Sequence, residues 1–189
     1  MVVRRLVLFM HTSLDGFVAG PQGEMEWIKV DDEIFDFVGG RTNVADTALY
    51  GRRTFEMMQN YWPTAAEQPN ATRHDIEHAR WYNGVNKVVL STTIKKAPRG
   101  TAIISDNVEK RINDLKNADG KEILMFGSPT AAHALMEHDL IDEYWLFVNP
   151  ILLGKGIPLF KNVEKQTQLS LVKSHTFASG VVCLNYVRQ

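Results

Sequence analysis

A glycine and a serine separate an apolar run from a helix-forming run near the middle of the second half of the chain. Lys121 to Phe126 has the composition of a buried strand, and Ala131 to His138 has that of a helix. Ser128 suits the N-cap, and Pro129 suits the first helical position, where an N–H has no partner. The free N–H groups at such a helix start can bind a phosphate, although Gly127 and Ser128 could also form a simple tight turn.

A second segment places two arginines at the start of another predicted helix. Asp46 to Tyr50 is a short strand, and Gly51-Arg52-Arg53-Thr54 turns it into a helix that extends to Gln59. Guanidinium groups after a strand and at a helix N-terminus are suited to holding phosphates. The segment lacks the lysine and the longer glycine spacing of a P-loop. Two adjacent surface arginines can also be solvated charges with no ligand.

Other polar groups have structural explanations that compete with a functional one. Asp15 and Gly16 have the composition of a hairpin turn, and the acids from Asp31 to Glu33 complement the dipole of a helix that we predict to end at Val38. The strand Lys87 to Thr93 ends in hydroxyl groups that could simply cap it.

The sequence offers no convincing metal site. His74 and His78 stand four residues apart in a predicted helix, Thr72 to Tyr82, but no third ligand is apparent. The single cysteine, Cys183, rules out a cysteine-rich zinc site and an intramolecular disulfide.

The elements that must position these side chains alternate between strand and helix. Arg4 to Thr12 is almost continuously apolar, as a strand covered on both faces requires. Tyr144 to Val148 reads as a strand that follows the helix after Gly127. Leu169 to Phe177 and Val181 to Arg188 alternate between apolar and polar residues and predict a terminal hairpin.

Composition limits the class of protein. The 189 residues fit one domain spanning 1–189, and 44% of them are hydrophobic, enough for a substantial core. Twenty-one basic residues balance 22 acidic ones, so we expect no nucleic-acid or membrane partner. No apolar stretch approaches a membrane span or a signal peptide, and we expect a cytoplasmic protein.

Several short segments of the chain resemble segments that occur in the same order in a known reductase family. They are Ser13-Leu-Asp-Gly16, Gly51-Arg-Arg-Thr54, Gly127-Ser-Pro-Thr-Ala-Ala132, Leu140-Ile-Asp-Glu143 and Pro150-Ile-Leu-Leu-Gly154. The chain is similar to the C-terminal reductase domain of the bacterial riboflavin-biosynthesis deaminase/reductase, which has the dihydrofolate reductase fold. The resemblance implies an α/β fold with a mixed, mostly parallel sheet flanked by helices and a C-terminal antiparallel hairpin. It also implies NADPH-dependent reduction of a small pterin-like or aminopyrimidine-like heterocycle.

The resemblance assigns roles to individual residues. NADPH would be held by Ala19, Gly51, Arg52, Arg53, Thr54, Ser91, Thr92, Gly127, Ser128 and Thr130. The substrate would lie beside Asp15, Trp27 and Phe126. Asp32 follows Trp27 by five residues, much as the proton-relay acid follows a tryptophan in dihydrofolate reductases, and would be a catalytic carboxylate.

The chain departs from the family pattern in two ways. From its length and single cysteine, we expect no zinc deaminase domain like that of the bifunctional enzyme. Phe126 occupies the position before the glycine turn, where family members tend to have glutamate, so the substrate half of the resemblance is weaker than the cofactor half. A second hypothesis is therefore a non-catalytic nucleotide-binding or ligand-sensing module. We also expect a homodimer, because related reductases commonly pair and the terminal hairpin has an open edge.

Overall fold

The computed structural model describes residues 3–161, 163 and 165–189. The strands in this part of the chain are β1 (Leu6–Ser13), β2 (Phe17–Ala19), β3 (Ala45–Gly51), β4 (Asn86–Leu90), β5 (Thr101–Ile104), β6 (Glu122–Phe126), β7 (Glu143–Asn149), β8 (Ile157–Pro158), β9 (Leu169–Thr176) and β10 (Val182–Arg188). The helices are α1 (Asp32–Thr42), α2 (Arg52–Tyr61), α3 (Arg73–Gly84), α4 (Val108–Asn117) and α5 (Pro129–Glu137), and a 3-10 helix, Trp62–Glu67, follows α2. None of the helices described has both the length and the apolar character that crossing a membrane would need.

Eight of the described strands form one sheet in the order β5-β4-β3-β6-β1-β7-β10-β9. Neighbouring strands from β5 to β7 are parallel, whereas β10 runs antiparallel to both β7 and β9. β2 and β8 pair in a separate small sheet. The predicted α/β class, with a mixed, mostly parallel sheet and a C-terminal antiparallel hairpin, is confirmed.

Helices cover both faces of the large sheet, which explains the long apolar run in β1. Leu8 shares a buried cluster with Ile112 of α4 and Leu135 of α5. Its neighbour Phe9 belongs to a second cluster with Ile34 of α1, because successive side chains of a strand point to opposite faces. A central strand with two covered faces needs apolar residues at nearly every position.

Helix α1 is longer than the sequence predicted. It begins after Asp31, whose side chain accepts a hydrogen bond from the Ile34 N–H at 2.9 Å, and it continues through Thr42 instead of ending at Val38. The two consecutive glycines, 39 and 40, stay helical. Each glycine costs about 1 kcal/mol of helix propensity, and the packing of α1 in the fold outweighs that cost.

Candidate active-site cleft

A cleft of about 1590 Å³ opens where the parallel strands β1, β3, β4 and β6 end, and the starts of α2 and α5 also border it. Ligands of open α/β sheets bind at this edge, outside the carboxyl ends of the strands. A pocket for one small ligand usually measures roughly 300–1,000 Å³. The cleft therefore has room for a dinucleotide and a second, smaller molecule.

The cleft brings together residues that lie far apart in the sequence. The residues predicted to bind the cofactor all line it: Ala19, Gly51, Arg52, Arg53, Thr54, Ser91, Thr92, Gly127, Ser128 and Thr130. Phe126, predicted to contact the substrate, lines it as well. Their proximity is a finding, and their binding roles stay predictions.

Ser128 connects the two loops that were predicted to hold phosphates. Its Oγ accepts a buried hydrogen bond from the backbone N–H of Gly51 at 2.7 Å, so the end of β3 is held against the start of α5. Ser128 is the N-cap residue of α5, as predicted, but its side chain makes no capping hydrogen bond to that helix. Gly127 and Ser128 both have left-handed backbone, with φ of 54° and 64°, and this turn directs the hydroxyl towards β3 and away from the helix.

Two helix starts therefore face the same end of the cleft, which we call the phosphate end (residues 51–54 and 127–130). The Ala132 N–H already bonds to the Ser128 carbonyl at 2.9 Å, which leaves the N–H groups of Thr130 and Ala131 at the open end of the helix. Arg52 and Arg53 are exposed in the first turn of α2, and the Arg52 guanidinium lies 3.7 Å from Glu56. The positive ends of two helices and two guanidinium groups favour an anion here.

The hydroxyl groups after β4 face the same cleft but also have local partners. Ser91 Oγ accepts hydrogen bonds from the N–H groups of Thr93 and Ile94 at 3.2 and 3.1 Å, so it does cap the turn after the strand. Thr92 is exposed beside it. The capping explanation and a ligand contact are compatible, because a hydroxyl that accepts can still donate.

Aromatic rings line another part of the cleft, which we call the aromatic end (Phe9, Trp81, Phe126 and Phe147). Phe126 lies 5.7 Å from Phe9, 6.0 Å from Tyr50 and 5.6 Å from Trp81 between ring centroids. Its benzyl group is therefore one part of an apolar wall. This wall suits a flat, weakly polar ring.

Two histidines at the aromatic end are neutral at physiological pH. Burial penalises the imidazolium form and lowers the pKa of His11 and of His78 to about 4. The His78 ring lies 4.1 Å from the Trp62 ring and lines the cleft, as does His11. His11 lies within the apolar run of β1, and a polar ring inside a buried run is the sequence signal that could have identified it as a candidate site residue.

Three of the predicted site residues do not line the cleft within the described part of the chain: Asp15, Trp27 and Asp32. Asp15 accepts hydrogen bonds from Ser13 Oγ and from two backbone N–H groups of residues 153 and 154, which fastens the loop after β7 to the loop after β1. The Ser13 hydroxyl is the main cause of the lowered pKa of Asp15. Trp27 Nε1 donates to the Glu24 carbonyl at 3.1 Å.

Asp32 points towards α3. Its side chain is 92% exposed, and its Oδ1 lies 3.2 Å from Nδ1 of His74. His74 also contacts Asp36 at 2.8 Å, while His78 packs on Trp62, so the two histidines have different environments. Among the described residues, no group of three or more His, Cys, Asp or Glu side chains could hold a metal ion.

Known proteins with similar sequences and folds place this chain in a family. The model of the RibD C-terminal domain family matches residues 4–183. The uncharacterized protein YyaP of Bacillus subtilis (strain 168) is 34% identical over 187 residues, which are 97% of this chain and 94% of that protein.

Two solved structures have the same fold. A putative riboflavin biosynthesis protein from Shewanella sp. PV-4 superposes with a TM-score of 0.73 at 26% identity, over 98% of this chain and 99% of that one. Dihydrofolate reductase from Enterococcus faecalis, complexed with NADP(H) and RAB-propyl, shares 12% of residues with a TM-score of 0.64, over 98% of this chain and 96% of that one. The second likeness shows the fold alone. With the family model matching almost the whole chain, this protein belongs to the RibD C-terminal domain family and has a dihydrofolate reductase-like fold.

Proposed function

We propose that this protein is an oxidoreductase that uses NADPH to reduce a small, flat heterocycle of the pterin or aminopyrimidine type. The observation that carries the proposal is that one cleft is lined both by the phosphate end and by the aromatic end. The Gly51–Ser128 hydrogen bond, 2.7 Å long, fixes the phosphate end by joining two helix starts. A dinucleotide with a charged and a flat uncharged part matches this combination.

The residues at the phosphate end fit the cofactor. Backbone N–H groups at the start of α5 and the guanidinium groups of Arg52 and Arg53 would hold phosphates, and Thr54 and Thr92 could add hydroxyl donors. NADPH supplies a hydride when it is bound. The contribution of the chain is to bind and orient the two reactants and to keep the aromatic end poor in water.

The family supports the proposal from a second direction. The Shewanella relative is described as a putative riboflavin biosynthesis protein, and the Enterococcus enzyme binds NADP(H) in the same fold. We therefore propose a reaction related to that of 5-amino-6-(5-phosphoribosylamino)uracil reductase. The aromatic wall around Phe126 favours a less polar substrate than that compound.

One observation favours the alternative of a non-catalytic nucleotide-binding or ligand-sensing module. Asp32, the predicted proton-relay acid, does not line the cleft within the described part of the chain, and its carboxylate contacts His74, which does line it. A reductase of this type would then take its proton from water. A sensing module would need no proton source at all.

Binding and turnover measured separately distinguish these functions. We expect NADPH to bind in a fluorescence titration, and absorbance at 340 nm to fall when a pterin, an aminopyrimidine or quinoxaline is added. The Arg53→Ala variant should weaken NADPH binding, whereas Arg99→Ala, an exposed arginine outside the cleft, should not. Tight binding with no turnover on any ring would favour the sensing module, and absence of NADPH binding would contradict the proposal.

A further inference from the structure

His11 is a polar side chain in the aromatic end that the proposed chemistry has not yet used. It lies in β1, lines the cleft and stacks on Phe147 with the ring centroids 4.9 Å apart and the planes at 22°. Because its pKa is lowered to about 4, the ring is neutral at pH 7 and carries one proton. The position of that proton decides what the ring can offer a ligand.

Asn149 identifies the nitrogen that carries the proton. Its Oδ1 accepts from the Lys29 N–H at 2.9 Å, and its Nδ2 donates to the carbonyls of Phe147 at 3.1 Å and Thr12 at 3.3 Å. These backbone groups fix which end of the fully buried amide is the NH₂ group.

The same Nδ2 lies 3.4 Å from Nδ1 of His11. An amide nitrogen can donate a hydrogen bond but cannot accept one, so this contact favours Nδ1 as the unprotonated nitrogen. The contact is long, because the two amide protons also serve two carbonyls. A proton on Nδ1 would point at the NH₂ group, and we therefore infer that the neutral ring carries its proton on Nε2.

The Nε2–H group is available to a ligand. It makes no hydrogen bond to any residue in the described ranges. Nε2 is also not one of the solvent-inaccessible side-chain atoms that lack a hydrogen-bond partner in those ranges. It is therefore open to the cleft. Stacking on Phe147 limits the rotation of the ring, so the donor has a defined direction.

Resting on the reductase function proposed above, we propose that His11 contacts the substrate and that its Nε2–H donates a hydrogen bond to a ring nitrogen or carbonyl oxygen. When a hydride from NADPH adds to the carbon of a C=N bond, the π electron pair moves to nitrogen, and the nitrogen then takes a proton from water. Where the bound acceptor is that nitrogen, the neutral donor stabilises the developing negative charge. His11 itself stays neutral throughout.

The test compares two rings of equal shape in the presence of NADP⁺. Quinoxaline has two ring nitrogens that can accept a hydrogen bond, and naphthalene has none. We expect His11→Phe to weaken quinoxaline binding about tenfold, a typical effect of one lost hydrogen bond, and to leave naphthalene binding unchanged. His11→Gln, which keeps an N–H donor, should restore most of the difference, and His138→Gln outside the cleft should have no effect.

Nuclear magnetic resonance of the unmodified protein provides an independent readout. We expect the ¹⁵N shifts of His11 to show a proton on Nε2, and this signal to move when quinoxaline is added. A proton on Nδ1, equal quinoxaline affinity in His11→Phe, or no quinoxaline binding by the unmodified protein would each overturn the inference. These outcomes differ from a failure of the proposed reductase function. In that case NADPH would not be oxidised, but quinoxaline binding would still depend on His11.

Discussion

The free energy that Arg52 and Arg53 contribute to binding depends on the charge that a ligand presents to them. Both side chains are exposed. Glu56 lies 3.7 Å from the Arg52 guanidinium, and at this distance and exposure the carboxylate does not neutralise the charge of Arg52. A 2′-phosphate, which distinguishes NADPH from NADH, would form charge-assisted hydrogen bonds with such groups. This is a residue-scale basis for selecting between the two cofactors.

We predict that the protein binds NADPH at least tenfold more tightly than NADH. Each charge-assisted hydrogen bond contributes about 1.5 kcal/mol at an exposed site, which corresponds to roughly one order of magnitude in affinity. The double variant Arg52→Ala, Arg53→Ala should lose most of this preference with little change in NADH binding. Fluorescence titration of both cofactors measures the gap, with Arg99→Ala as the matched control. Equal affinities in the unmodified protein would refute the prediction.

Phe126 determines a second prediction, which concerns the riboflavin precursor 5-amino-6-(5-phosphoribosylamino)uracil. Its benzyl ring cannot accept the hydrogen bonds that a glutamate would, and each unpaired polar group of a buried substrate costs about 1–3 kcal/mol. We expect inefficient reduction of this compound by the unmodified protein. Phe126→Glu should increase turnover, whereas Phe126→Leu, which stays apolar, should not.

Phe126→Glu should also lower the stability of the fold. Because Phe126 contacts the rings of Phe9, Tyr50 and Trp81, its replacement by glutamate should lower the free energy of unfolding by about 3 kcal/mol. Thermal denaturation must therefore accompany the assay of NADPH oxidation. Robust turnover of the precursor by the unmodified protein would show that another residue supplies the missing acceptor.

At the scale of elements, the distance between the end of β3 and the start of α5 sets the shape of the phosphate end. A Cβ atom on Gly51 would lie 3.0 Å from the Cβ of Ser128 and 3.3 Å from that of Ala131. The φ of Gly51 is −84°, which alanine adopts without strain, so a substitution here acts only through this steric contact.

We predict that Gly51→Ala weakens NADPH binding about tenfold by pushing α5 away from β3. Overpacking of this kind costs about 1–3 kcal/mol. Ser128→Gly, which removes the hydrogen bond from the Gly51 N–H and suits the φ of 64° at position 128, should weaken NADPH binding as well, because the two helix starts are then no longer joined. Gly84→Ala in α3, where a Cβ meets nothing within 4 Å, is the control. Unchanged binding in Gly51→Ala would show that the two loops move independently.

The elements were easier to predict than the directions of their side chains. Strands such as β1 are buried on both faces, so their apolar runs identify them without any knowledge of neighbours. The orientation of Asp32 depends on how α1 packs beside α3 and His74, which the local sequence does not contain. The tautomer that we infer for His11 depends on its contact with Asn149, 138 residues away. Local pattern thus predicts the frame of the cleft, and long-range contacts decide which side chains enter it.

At the scale of the whole molecule, the two edges of the large sheet differ. β5 is a strand of four residues, whereas β9 has eight and carries the exposed side chains of Leu171 and Val172, at 54% and 60% exposure. Natural edge strands are usually short, charged or covered. A long edge with exposed apolar residues is a surface on which a second copy of the chain could pack.

We predict a homodimer that pairs through β9 and the hairpin it forms with β10. Light scattering at micromolar concentration should then report about twice the chain mass of 21.4 kDa. Val172→Lys should shift the protein towards the monomer, because a lysine on an edge strand disfavours pairing with a second edge strand. Ile76→Lys on α3, also an exposed apolar residue, should leave the mass unchanged. A 21.4 kDa particle from the unmodified protein would contradict the prediction, and the exposed side chains of β9 would then have to be tolerated in water.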